Sequence, residues 1–127
     1  MKYAVPLALA LFSIANAQAA GAIEGGNIEA GKQAFTTLCA SCHHVGPSAR
    51  AGFGPQLNAV FGRKAGSTSD FRYSEAMQAS NVVWSDATLR AFVQSPGKVV
   101  PGTKMRFWGM SNQRQIEDLL AYLRAVR

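Results

Sequence analysis

Three stretches of the chain repeat apolar residues at helical spacing. From Asn27 toward Cys42, Ile28, Phe35 and Leu38 fall on roughly one side of a helix. Asn27, or the glycine before it, can cap that helix, and Glu29 lies in the first turn, where a carboxylate suits the helix dipole. Ser85 or Asp86 caps a second helix with Leu89, Phe92 and Val93 on one face, and Pro96-Gly97 ends it. Ser111 or Asn112 caps the last, along which Ile116, Leu119, Leu120, Leu123 and Val126 recur. Residues 45 to 69 are rich in glycine, carry Pro47 and Pro55, and read as loop with one turn of helix at Leu57 to Phe61. Residues 70 to 80 form a short helix, and Pro101-Gly102 holds the chain extended. No parallel-sheet pattern intervenes, so the fold class is all-α.

The first residues belong to a different kind of segment. Lys2 precedes an apolar run from Ala4 to Ile14, followed by small residues, and Ala15-Asn16-Ala17 fits a signal-peptidase site. Ala17-Gln18-Ala19 is a second site, and a retained membrane anchor is the other reading. The later part is Ala, Asn, Gln and Gly, too polar to hold well in lipid, which favours cleavage. The expected division is residues 1–17 as signal peptide and 18–127 as one domain, exported to the bacterial periplasm.

Composition narrows the picture further. The 127 residues are 48% hydrophobic and 16% charged, which excludes a disordered chain. Thirteen Lys and Arg face seven Asp and Glu, a formal charge of +6. Two cysteines are too few for a disulfide scaffold or a four-cysteine zinc site. Two solid helices, two short ones and long loops make a thin core, and loops of that length need something to pack on.

A large apolar cofactor supplies it, and Cys39-Ala40-Ser41-Cys42-His43 is the motif that attaches one. Two thiols three positions apart at a helix end each reach one vinyl group of a single haem, and the following imidazole reaches the iron. A redox dithiol normally follows a strand, and none is indicated. Cys39, Cys42, His43 and His44 are too crowded to close a zinc tetrahedron, and a plain disulfide leaves His43 unexplained. For the sixth iron ligand, His44 adjoins His43 and cannot reach the opposite face. Met77 lies in a helix-like stretch, where methionine usually fills core. Met105, in the constrained loop from Pro101, is the stronger candidate and Met110 the weaker. A His/Met pair raises the reduction potential and leaves no open site for dioxygen, which favours outer-sphere electron transfer over catalysis.

From Gly31 to Arg127 the sequence resembles a class I c-type cytochrome, of the mitochondrial-like and photosynthetic-bacterial branch. The resemblance rests on Cys39 to His43, Gly54-Pro55, Phe61-Gly62-Arg63-Lys64, Tyr73, Trp84, Pro101 to Met105 and Asp118 to Leu123, in the family's order. It implies N- and C-terminal helices crossing beside one covalent haem, with Gly31 and Phe35 meeting Leu119 and Tyr122. It also implies that the Pro55 carbonyl accepts from the free ring nitrogen of His43. Arg63, Tyr73 and Trp84 would hold the haem propionates, Thr103 would sit beside Met105, and Phe107 would pack near the haem edge. Phe92 stands where many members have a tyrosine, and Met77 where many have an asparagine, which makes the distal pocket less polar.

The function this implies is a soluble monohaem carrier of single electrons, acting as a monomer, with no enzyme activity of its own. The alternative is a haem subunit held by one dehydrogenase or oxidase. The expected partners are redox proteins with acidic surfaces: a membrane oxidoreductase complex, a terminal oxidase or a reaction centre. Nucleic acid is not among them, and the membrane surface is met only through partners. Arg50, Lys98, Lys104 and Arg106 are expected around the haem edge, with Lys32 and Arg63 nearby, while Glu24, Glu29, Glu117 and Asp118 cluster elsewhere.

Overall fold

The computed structural model describes residues 25–127; the signal-peptide segment and its cleavage sites lie outside them. Among the described residues five helices follow one another: α1 (Ile28–Leu38), α2 (Glu75–Ala79), α3 (Asp86–Gln94), α4 (Pro96–Val99) and α5 (Gln113–Ala125). Among the described residues the only strand-like pairing is an isolated bridge between Lys64 and Val83. No described helix is long and apolar enough to cross a membrane.

Local chemistry fixes the helix starts. The side chains of Asn27, Ser85 and Asn112 each accept a backbone N–H of the turn that follows. Ser85 and Thr88 form a reciprocal capping box. α1 stops at Leu38, short of Cys42, and the motif after it is a turn. Pro96 closes α3 but also opens α4, because a proline at the first helical position needs no hydrogen-bond partner for its nitrogen. The expected helical turn at Leu57 to Phe61 is absent. Ala59 sits at φ 48°, and the Asn58 and Gln56 carbonyls accept from the Arg63 guanidinium (3.0 and 2.9 Å).

α1 crosses α5 with backbones in contact. A methyl group on Gly31 would collide with the Asp118 carbonyl and stand 2.8 Å from Tyr122 Cβ, so only glycine permits the approach. The buried face of α1 is Gly31, Ala34 and Phe35, while Ile28 and Leu38 stay exposed. Phe35 packs on the Tyr122 ring with centroids 5.6 Å apart. Ile116, Leu119 and Leu120 are buried completely beneath them, with Val60 and Val100. Each such side chain contributes about 1.5–3 kcal/mol by leaving water.

Two of the acidic residues expected to cluster away from the haem edge also serve the fold. Asp118 is buried; its Oδ1 accepts the Asn27 N–H at 2.7 Å and pairs with Arg114 at 3.3 Å. Glu117 pairs with Arg90 at 2.7 Å, and Arg90 also reaches Asp86, which Arg124 contacts from α5. Arg124 lies 5.0 Å over the Phe61 ring. These charges tie α3 to α5 and leave that face nearly neutral.

Candidate functional site

The site begins where α1 ends. The N–H groups of Cys39 and Ala40 both donate to the Phe35 carbonyl. Those of Cys42 and His43 then donate to the Cys39 carbonyl, at 3.0 and 2.8 Å. This coil puts both thiols and the imidazole on one short turn. Cys39 is half-buried, Cys42 is exposed, and both are free thiols. Burial, with a smaller repulsion from Cys42, pushes the Cys39 thiol up to about 11, so it stays protonated at neutral pH.

His43 is only 9% exposed. Its Nδ1 lies 2.8 Å from the Pro55 carbonyl. A carbonyl can only accept, so the ring proton belongs on Nδ1 and the Nε2 lone pair stays free. No described residue hydrogen-bonds to Nε2. Burial holds the imidazole below its ordinary pKa, the Pro55 bond opposes this, and His44 and Arg63 add to it. A neutral ring with a free Nε2 is the form that binds iron.

The loop carrying Pro55 is built to clasp that ring. Gly54 donates its N–H to the Cys42 carbonyl at 2.9 Å, and a methyl on Gly54 would stand 2.5 Å from His43 Cε1. Asn58 braces the loop twice, accepting the Gly46 N–H at 2.8 Å and donating to the Gly46 carbonyl at 2.7 Å. Asn58 escaped the sequence reading, although an asparagine in a glycine- and proline-rich loop is a recognisable turn signal. His44 points away, with Nδ1 3.0 Å from the Arg50 carbonyl.

The remaining residues of interest come from distant parts of the chain. Arg63, half-buried, forks its guanidinium onto the Asn58 and Gln56 carbonyls; burial lowers its pKa while Tyr73 and Asp70 hold it up. It is an inward brace rather than a surface cation. The Tyr73 hydroxyl shares a 2.7 Å hydrogen bond with Thr68, and its ring meets Phe71 edge-on. Trp84 is buried against Phe92 with ring centroids 4.9 Å apart, and its indole N–H bonds to no described residue. Thr103 accepts the Met105 N–H at 3.3 Å. Met105 and Phe107 are half-buried against the core. Met110 lies fully inside it, with its N–H on the Val93 carbonyl.

These residues fit a haem held by thioether bonds. Two cysteines not paired as a disulfide sit beside an imidazole whose lone pair is unclaimed, and Leu57, Met77, Val82, Met105 and Phe107 are half-buried apolar side chains packed against the core. No three His, Cys, Asp or Glu side chains group as a metal site among the described residues, so the Cys39–His43 turn stands apart from ordinary metal centres. Fold and site together define a small all-helical, haem-binding electron-transfer domain.

Comparison with known proteins places it more narrowly. The cytochrome c family model matches residues 28–127. The chain is 44% identical over 98 residues to cytochrome c2 of Rhodoblastus acidophilus, covering 77% of this chain and 91% of that one. It is 43% identical to cytochrome c2 of Rhodomicrobium vannielii over 91% of each chain. The solved structure of cytochrome cH from Methylobacterium extorquens superposes with a TM-score of 0.73 at 38% identity, over 79% of this chain and 99% of that one. The chain belongs to the cytochrome c family. It is a monohaem electron carrier with haem c attached through Cys39 and Cys42.

Proposed function

We propose that the protein is a soluble one-electron shuttle, made with a cleaved signal segment at residues 1–17 and active in the periplasm as the monomeric domain 18–127. His43 and Met105 would hold the haem iron. When bound, the haem supplies a reversible one-electron couple. The observation that carries this reading is the His43 ring, locked by Pro55 and Gly54 with Nε2 free and two thiols on the same turn.

Each neighbouring side chain has a task in holding that couple. Pro55 fixes the tautomer and direction of His43, which would make its Nε2 a stronger ligand. Arg63, Tyr73 and Trp84 hold the propionates: a buried carboxylate needs donors, and the Trp84 N–H is uncommitted. Thr103 orders the backbone at Met105, and Phe107 shields the edge from water. With His43 and Met105 both on the iron, no site would be left there for a substrate, and the haem would only exchange electrons. Arg50, Lys98, Lys104 and Arg106, all exposed, attract a partner with an acidic surface, such as a membrane oxidoreductase, a terminal oxidase or a reaction centre.

Denaturation in acidified organic solvent tests the attachment: the colour should stay with the polypeptide, and colour passing into the solvent contradicts it. Gel filtration of the native protein should give a free monomer; co-elution with a dehydrogenase or oxidase would make it a bound subunit instead.

A further inference from the structure

Burial alternates along the segment after Pro101-Gly102. Met105 and Phe107 are half-buried, whereas Lys104, Arg106 and Trp108 are exposed. An alternation of period two puts the three outward side chains on one side of an extended segment and the two inward ones on the other. Trp108 is wholly exposed, an expensive place for an indole, and no described residue covers it. The loop after His43 repeats the pairing: Phe53 is 89% exposed and follows the exposed Arg50 by three residues. Both loops that carry the proposed axial machinery therefore present an aromatic ring among cations.

We propose that Trp108 is the short-range anchor of the docking surface, seating in an apolar pocket of a redox protein whose rim is acidic. This inference rests on the shuttle reading above. Lys104 and Arg106 flank the indole on its own side, so the same approach that pairs them with carboxylates brings Trp108 into contact. Long-range charge sets the rate of encounter, and a desolvated Trp sets how firmly the pair holds. Division of labour follows: the cations act at low salt, and the indole acts at every salt concentration because apolar contact is not screened. Docking here also brings the partner against the backbone that bears Met105 and Phe107, where the electron must leave.

The test follows oxidation of the ferrous holoprotein by membranes of the producing cells, at low and at high salt. Trp108→Ala should lower the second-order rate about tenfold at both. Lys104→Glu should lower it at low salt and hardly at all at high salt. The reduction potential and the rate with ferricyanide should match wild type in Trp108→Ala. Equal membrane rates for Trp108→Ala and wild type overturn the anchor, as does an equal loss with ferricyanide, which would mean a damaged site. Wild-type binding to protein-free vesicles of anionic lipid that Trp108→Ala abolishes also overturns it, since lipid would then be the occupant. A wild-type membrane rate that does not change with salt contradicts the shuttle reading itself, whatever Trp108 does.

Discussion

Gly54→Ala puts the smallest possible load on the proposed ligand. The added methyl stands 2.5 Å from Cε1, 2.8 Å from Nδ1 and 3.0 Å from Nε2 of His43. Non-bonded carbons rest at about 3.5 Å, so the ring must retreat by about 1 Å. The Nδ1–Pro55 bond is 2.8 Å long, and that retreat stretches it past hydrogen-bonding range. Losing one buried hydrogen bond costs about 0.5–1.5 kcal/mol, and overpacking costs about 1–3 kcal/mol. The sum, about 1.5–4.5 kcal/mol, corresponds to a drop in Tm of roughly 6–35 °C for a domain of this size. The axial ligand also tilts, so the visible spectrum should change with the stability. Gly97→Ala is the control: its methyl meets nothing within 4 Å, and the change should stay within about 1 kcal/mol. Thermal unfolding of both holoproteins, followed in the haem band, is the assay. A Gly54→Ala protein that melts with wild type and keeps its spectrum would refute the idea that this loop clasps His43.

Other substitutions separate ligand from core and cap from surface. Met105→Ala should abolish the weak methionine-to-iron charge-transfer band and lower the potential, while Met110→Ala should keep the band and lose about 2–5 kcal/mol of stability as a core cavity. Asp118→Ala strips the acceptor from the Asn27 N–H and should cost about 1.5–3 kcal/mol, with faster amide exchange at the start of α1.

Much of this was legible in the chain, for definite physical reasons. Covalent haem attachment needs residues adjacent in sequence, so Cys39, Cys42 and His43 declared themselves. Helix caps are local as well, and Asn27, Ser85 and Asn112 were among the residues named for them. What escaped depends on contacts between distant segments. Nothing local marks Asp118 as buried; its carboxylate accepts the Asn27 N–H from 91 positions away. The crossing of α1 and α5 at Gly31 follows from the family resemblance, but the exposure of Ile28 and Leu38, which fit the apolar stripe of α1, does not. Arg63 counts as a cation in the sequence, but only the fold shows that two of its N–H groups brace the carbonyls of Asn58 and Gln56.

The central claim is a single low-spin haem, with His43 and Met105 as its proposed iron ligands, that carries one electron at a time. An anaerobic redox titration of the purified, haem-loaded protein, followed in its visible bands, tests it most directly. The account expects one reversible one-electron transition, with the methionine-to-iron band present in the oxidised form and lost on reduction. A two-electron transition, or an oxidised form without that band at neutral pH, would contradict it.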